Sequence, residues 1–137
     1  MTRRSFKNAV LSIIFLFIIS SCSNLKTGEI ARVDYSFSGF FGSERNRLLL
    51  YKQSGSTFAK LETNGKVVRT VKLSTEQIAT FNSFVEALSK LKEREGCTSV
   101  EEYALYTQSE TIKKTDGGCG WNGFAGLERN IFETIEE

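Results

Sequence analysis

Apolar and polar residues alternate through much of the chain beyond residue 29. In residues 30–37 (IARVDYSF), Ala31, Val33, Tyr35 and Phe37 fall on one side of an extended strand, and Ile30, Arg32, Asp34 and Ser36 on the other. Side chains repeat every two residues along a strand, so this predicts a strand with its apolar set toward a core. Gly39-Phe40-Phe41-Gly42 reads as a turn, residues 48–52 (LLLYK) as the next strand, and Ser54-Gly55-Ser56 as the turn that follows. Residues 57–62 continue extended, with Phe58 and Leu61 out of strict alternation. Asn64-Gly65 is the best hairpin signal, because both residue types tolerate positive φ. Residues 67–73 come next, with Val67, Arg69, Val71 and Leu73 on one face. Four strands joined by short turns imply an antiparallel meander.

The period then lengthens. Ser74 is suited to cap a helix, Gln77 three residues on completes a capping box, and Leu73 and Ile78 flank it as a hydrophobic staple. Ile78, Phe81, Phe84, Val85, Leu88 and Leu91 form one apolar stripe at helical spacing, the pattern of a core-facing helix. Lys90, Lys92 and Arg94 suit the last turns, and Gly96 a stop. Residues 99–107 and 112–115 then flank Gln108-Ser109 as a second hairpin. A glycine-rich stretch, DGGCGWNGFAG, leads into a short C-terminal helix carrying Phe124, Leu127, Ile131 and Ile135. The order ββββαββα predicts an α+β fold, with helices on one face of an antiparallel sheet.

The first 22 residues follow another logic. Residues 1–8 hold Arg3, Arg4 and Lys7 and no acid; residues 9–19 (AVLSIIFLFII) are apolar except for Ser12. A spanning helix needs about 20 apolar residues, so eleven after a basic start match the hydrophobic region of an export signal. The run ends in Ile19-Ser20-Ser21-Cys22, which resembles the lipobox of bacterial lipoproteins. The resemblance implies that residues 1–21 are removed by signal peptidase II and that the Cys22 thiol carries a diacylglyceryl group. Residues 22–29 are then the lipidated N-terminus and a short polar tether, and residues 30–137 a single domain. Ser23 follows the cysteine, where lipoproteins kept at the inner membrane often have Asp. In a cell with two membranes the family pattern implies a lipid-anchored envelope protein on the outer membrane, facing the periplasm.

Removing that segment changes the charge picture. The chain of 137 residues carries 18 Lys and Arg against 16 Asp and Glu, but three of the cations leave with the signal. A near-neutral mature domain has no electrostatic footprint for nucleic acid. Histidine is absent, which removes the commonest general base near neutral pH and the commonest metal ligand. Neither a nucleophile motif nor metal-ligand spacing occurs, so no enzyme, cofactor or metal is expected. Of three cysteines, lipidation would use Cys22. Cys97 and Cys119 remain, in a compartment where disulfides persist, and the second hairpin's register brings them within one residue of facing. A Cys97–Cys119 bridge is expected.

Several motifs carry competing readings. Gly118-x-Gly120-x-x-Gly123 matches a dinucleotide fingerprint as a string, but the chain ends before another parallel strand could follow. It reads instead as a strand-to-helix connection needing positive φ. Trp121 within it is either a contact residue, as tryptophan often is at binding hot spots, or folds back over the sheet edge. Residues 39–46 and 123–130 agree at six of eight positions. A true repeat would extend through a whole structural unit, and this one does not, so the match reads as coincidence; the alternative is two similar loops sharing a surface with Arg45 and Arg129. Glu101 and Glu102, adjacent on a strand, should point to opposite faces and make no catalytic pair.

The mature region also resembles the emfourin-type inhibitors of thermolysin-like metalloproteases, small domains of a sheet with helices. The shared features are the Gly-Phe-x-Gly turn at Gly39–Gly42 before a strand, and the helix opening at Leu73-Ser74. They are short, and no inhibitory residue is carried across. Two expectations follow. The first is a lipid-anchored, non-catalytic envelope protein with a protein, glycan or membrane partner. The second is a small protease inhibitor.

Overall fold

The computed structural model describes residues 25–93, 96–117 and 121–133. The expected export segment, Cys22, Arg94, Gly118, Cys119, Gly120 and Ile135 lie outside the described residues. The elements are β1 (Glu29–Gly39), β2 (Gly42–Gln53), β3 (Ser56–Thr63), β4 (Lys66–Lys72), α1 (Thr75–Lys90), β5 (Val100–Thr107), β6 (Thr111–Asp116) and α2 (Gly123–Phe132). All strands pair antiparallel in one sheet of order β4-β3-β2-β1-β5-β6. This is the expected α+β architecture. The second hairpin adds to the free edge of β1, so the first strand of the domain becomes a central one.

Alternation decides the two faces. Ala31 and Val33 of β1, Leu48 and Leu50 of β2, Ala59 and Leu61 of β3, and Tyr103 and Leu105 of β5 point to one side and are buried. Helix α1 covers them with Phe81, Phe84 and Leu88, and α2 with Phe124, Leu127, Ile131 and Phe132. Burying side chains of this size stabilises by roughly 1.5–3 kcal/mol each. The other face of the sheet bears no helix among the described residues.

The α1 start forms as the sequence implies. The Ser74 side chain accepts from the Gln77 N–H, and the Ser74 N–H donates to Gln77 Oε1 at 2.8 Å. Gln77 Nε2 also donates to the Ile131 carbonyl at 2.8 Å, joining the start of α1 to the end of α2. The helix ends at Lys90, earlier than expected. Leu91 turns extended so that its side chain stays on the core, and Lys92 lies beyond the last turn.

Three further differences have local causes. β2 begins at Gly42, six residues before the apolar run, because the polar residues 43–47 pair in register with β1. Register shifts between Leu61 and Glu62, so Arg69 faces Leu61 while Val67 faces Glu62. That bulge takes Val67 off the face expected for it and leaves it and Val68 exposed. β1 begins at Glu29, and Lys26 and Glu29 close a turn before it, where a flexible tether was expected.

Candidate functional site

The uncovered face of the sheet is concave, with a hollow of about 900 Å³. Small side chains make its floor. Ser36 and Ala104, on neighbouring strands, sit among Arg45, Arg47, Glu102, Tyr106 and Lys113. The charges are largely tied to one another. Arg47 Nε donates to Asp34 at 2.6 Å, and Arg32 lies 3.3 Å from the same carboxylate. The Asp34 bond raises the Arg47 pKa further, so this guanidinium is held charged. Arg32 also stacks over the Tyr106 ring, 4.3 Å from its centroid, a cation–π contact. Ser36 Oγ donates to Glu102 at 3.0 Å. Such a lattice can bind a polar surface, but its carboxylates are already engaged: Asp34 by two arginines, Glu62 by Lys60 and Glu102 by Ser36.

On the covered face, Glu101 accepts from Tyr35 Oη at 3.1 Å and from Tyr103 Oη at 2.6 Å. Burial, and then the Glu101 carboxylate, push both phenols well above their ordinary range. Glu101 and Glu102 thus serve opposite faces, as the strand geometry requires.

The β1–β2 turn is the most exposed apolar feature among the described residues. Phe40 and Phe41 are 88 % and 98 % exposed, at the tip of a two-residue turn between Gly39 and Gly42. Their rings meet edge to face, 5.3 Å between centroids. Gly42 has φ of +138°, a conformation that side-chain-bearing residues rarely adopt. The turn was legible, but its role as an exposed apolar tip was not. The signal was there: two large aromatics at the centre of a turn, where polar residues are usual.

The residues singled out from sequence do not form one surface. Trp121 is no exposed contact residue. Its ring stacks on Phe84 at 5.8 Å and tilts against Tyr103 at 4.9 Å, packing on the core. Gly123 makes room for it: a Cβ there would lie 2.5 Å from the Trp121 ring. Gly123 and Gly126 do not have positive φ, so close approach rather than backbone freedom explains the glycine at 123. Arg45 lines the hollow of the uncovered face, whereas Arg129 sits on α2 over the opposite face, 4.0 Å from Glu133. The two similar segments also diverge, since Phe40 is exposed and Phe124 is buried and stacked on Tyr35 at 4.5 Å. The Cys97 N–H donates to the Gly117 carbonyl at 2.8 Å, so the chain returns beside Cys97 two residues before Cys119.

Among the described residues no helix is long and apolar enough to cross a membrane, and no cluster of acidic, cysteine or histidine residues could hold a metal ion. No protein-family model matches the chain, and neither does any curated protein.

Proposed function

We propose that the chain is a lipid-anchored, non-catalytic protein of a bacterial cell envelope that grips a partner protein with its Phe40–Phe41 tip. The lipobox ending at Cys22 supports the anchor. The exposure of the two phenylalanines carries the binding reading. Exposed apolar area of this kind is costly in water, and covering it returns roughly 1.5–3 kcal/mol per phenylalanine. The turn is short and braced by paired strands, so little ordering entropy opposes binding. Arg45, three residues beyond Gly42 on β2, lines the adjoining hollow and offers a polar contact there.

The same hairpin favours one narrower reading, a small protease inhibitor. A rigid turn that presents bulky apolar side chains has the shape that enters an enzyme's cleft. A photo-reactive residue at position 41, introduced into the lipidated protein in its native envelope, tests the binding reading. A discrete protein adduct is expected, lost when unmodified protein competes but retained when Phe40→Ser, Phe41→Ser protein competes. Diffuse labelling that neither competitor changes would remove the tip from the account. Slowed cleavage by a protease at stoichiometric ratio, lost in the double variant, would select the inhibitor. For the anchor, a palmitate analogue should label the wild type and not Cys22→Ala.

A further inference from the structure

A second groove, of about 460 Å³, lies where the N-terminal segment enters the sheet. Leu49 and Tyr51 form its apolar part, and Lys26, Lys52 and Lys60 edge it. Tyr51 stacks on Phe58 at 5.7 Å, and Lys72 of β4 pairs across from Phe58 in register. Lys60 is 3.2 Å from Glu62. Lys26, Lys52 and Lys72 are exposed and make no ion pair with another described residue. The Glu29 carboxylate accepts the Lys26 backbone N–H. The other acids of this end, Glu76 and Glu110, lie on α1 and on the β5–β6 turn.

We infer that this lysine-edged groove docks on the anionic headgroups of the bilayer that holds the anchor. The inference rests on the reading of Cys22 as the acylated residue. Three residues separate Cys22 from Lys26, so the four Cα-to-Cα steps of a fully extended link reach at most about 14 Å. The root of β1 is therefore held close to the headgroup layer. Attraction to that layer fades within about 8 Å, the screening length at physiological salt, so only charges held this near contribute. The groove meets that condition. Each lysine at the surface contributes about fivefold in partitioning, and the Tyr51–Phe58 pair supplies the amphipathic aromatic surface that suits a membrane interface. β1 runs on from the docked end for 11 residues, which at about 3.3 Å each places the Phe40–Phe41 tip at most some 35 Å from it.

The test uses the lipidated protein in vesicles of phosphatidylcholine alone, or with roughly one third phosphatidylglycerol. A membrane-impermeant amine reagent is applied and each lysine is read by mass spectrometry. Lys52 and Lys72 should react at least threefold more slowly on the anionic vesicles, while Lys90 and Lys113, on α1 and at the β6 edge, should not change. High salt, or Lys52→Glu with Lys72→Glu read at Lys60, should abolish the difference. Protein that floats with both vesicle types but reacts equally on each would overturn the docking surface and leave the anchor standing. Uniform shielding of all lysines would also overturn it. Failure to float with either would defeat both readings.

Discussion

Trp121 and Gly123 depend on each other. The indole fills the space between Phe84, Tyr103 and the start of α2 only because position 123 has no side chain. Gly123→Ala should therefore destabilise the domain by about 1–2 kcal/mol: alanine's better helix propensity is offset and exceeded by steric displacement of a packed ring. The lone tryptophan reports on the same event, so its fluorescence should shift to the red; an unshifted spectrum with unchanged stability would contradict the packing account. Glu128 offers a second residue-scale test. Burial, together with Glu44, raises its pKa above the ordinary carboxylate value despite Arg69. The folded state then holds a proton that the unfolded chain has already released, and stability is lost as pH rises through that window. Glu128→Gln should accordingly raise the unfolding temperature at pH 7, and the gain should vanish at acid pH, below the ordinary carboxylate pKa. A gain of equal size at both pH values would point to packing instead.

At the scale of elements, α1 shows which sequence signals were sufficient. Ser74 and Gln77 form both bonds of the capping box. Ser74→Ala should cost about 1 kcal/mol, or about 4 °C in a thermal melt followed by circular dichroism. The start of this helix was legible because capping is local chemistry. Its end was not, because Leu91 leaves the helix to satisfy the core, a tertiary demand. The start of β2 was hidden for a related reason: residues 43–47 are polar on both faces and extend only because β1 pairs with them. The bulge in β4 has no marker in the residues around Val68. The second hairpin was legible in register, since Glu101 faces Asp116 and Thr107 bonds to Glu110 as the Gln108-Ser109 turn implies. That register supports a Cys97–Cys119 bridge, which should contribute about 3 kcal/mol in the chain-entropy model. Non-reducing mass spectrometry of protein exported by its native host should recover a linked 97–119 peptide. Two alkylatable thiols instead would refute the pairing.

For the whole molecule, periodicity indicated an antiparallel sheet with helices on one face but left open which edge the second hairpin joins. β4 carries Lys66, Arg69, Lys72 and a bulge, features that discourage further pairing at an edge. β1 carries no lysine and takes β5 on its free side. Of the candidate site, the turn and its aromatic composition were legible and its exposure was not, because what stands over a turn is decided by the packing of distant elements. The resulting layout has a mechanical side. On the proposed reading the anchored segment enters β1 at Glu29 and the tip leaves it at Gly39, so both ends of a pull between membrane and partner would fall on one strand. A strand is already close to the full reach of its backbone. Tension would run through covalent bonds along the middle of the sheet, with almost no slack to release, and the hydrogen bonds to β2 and β5 would carry little of it. The protein would then act as a short inextensible strut, transmitting load without first having to unfold.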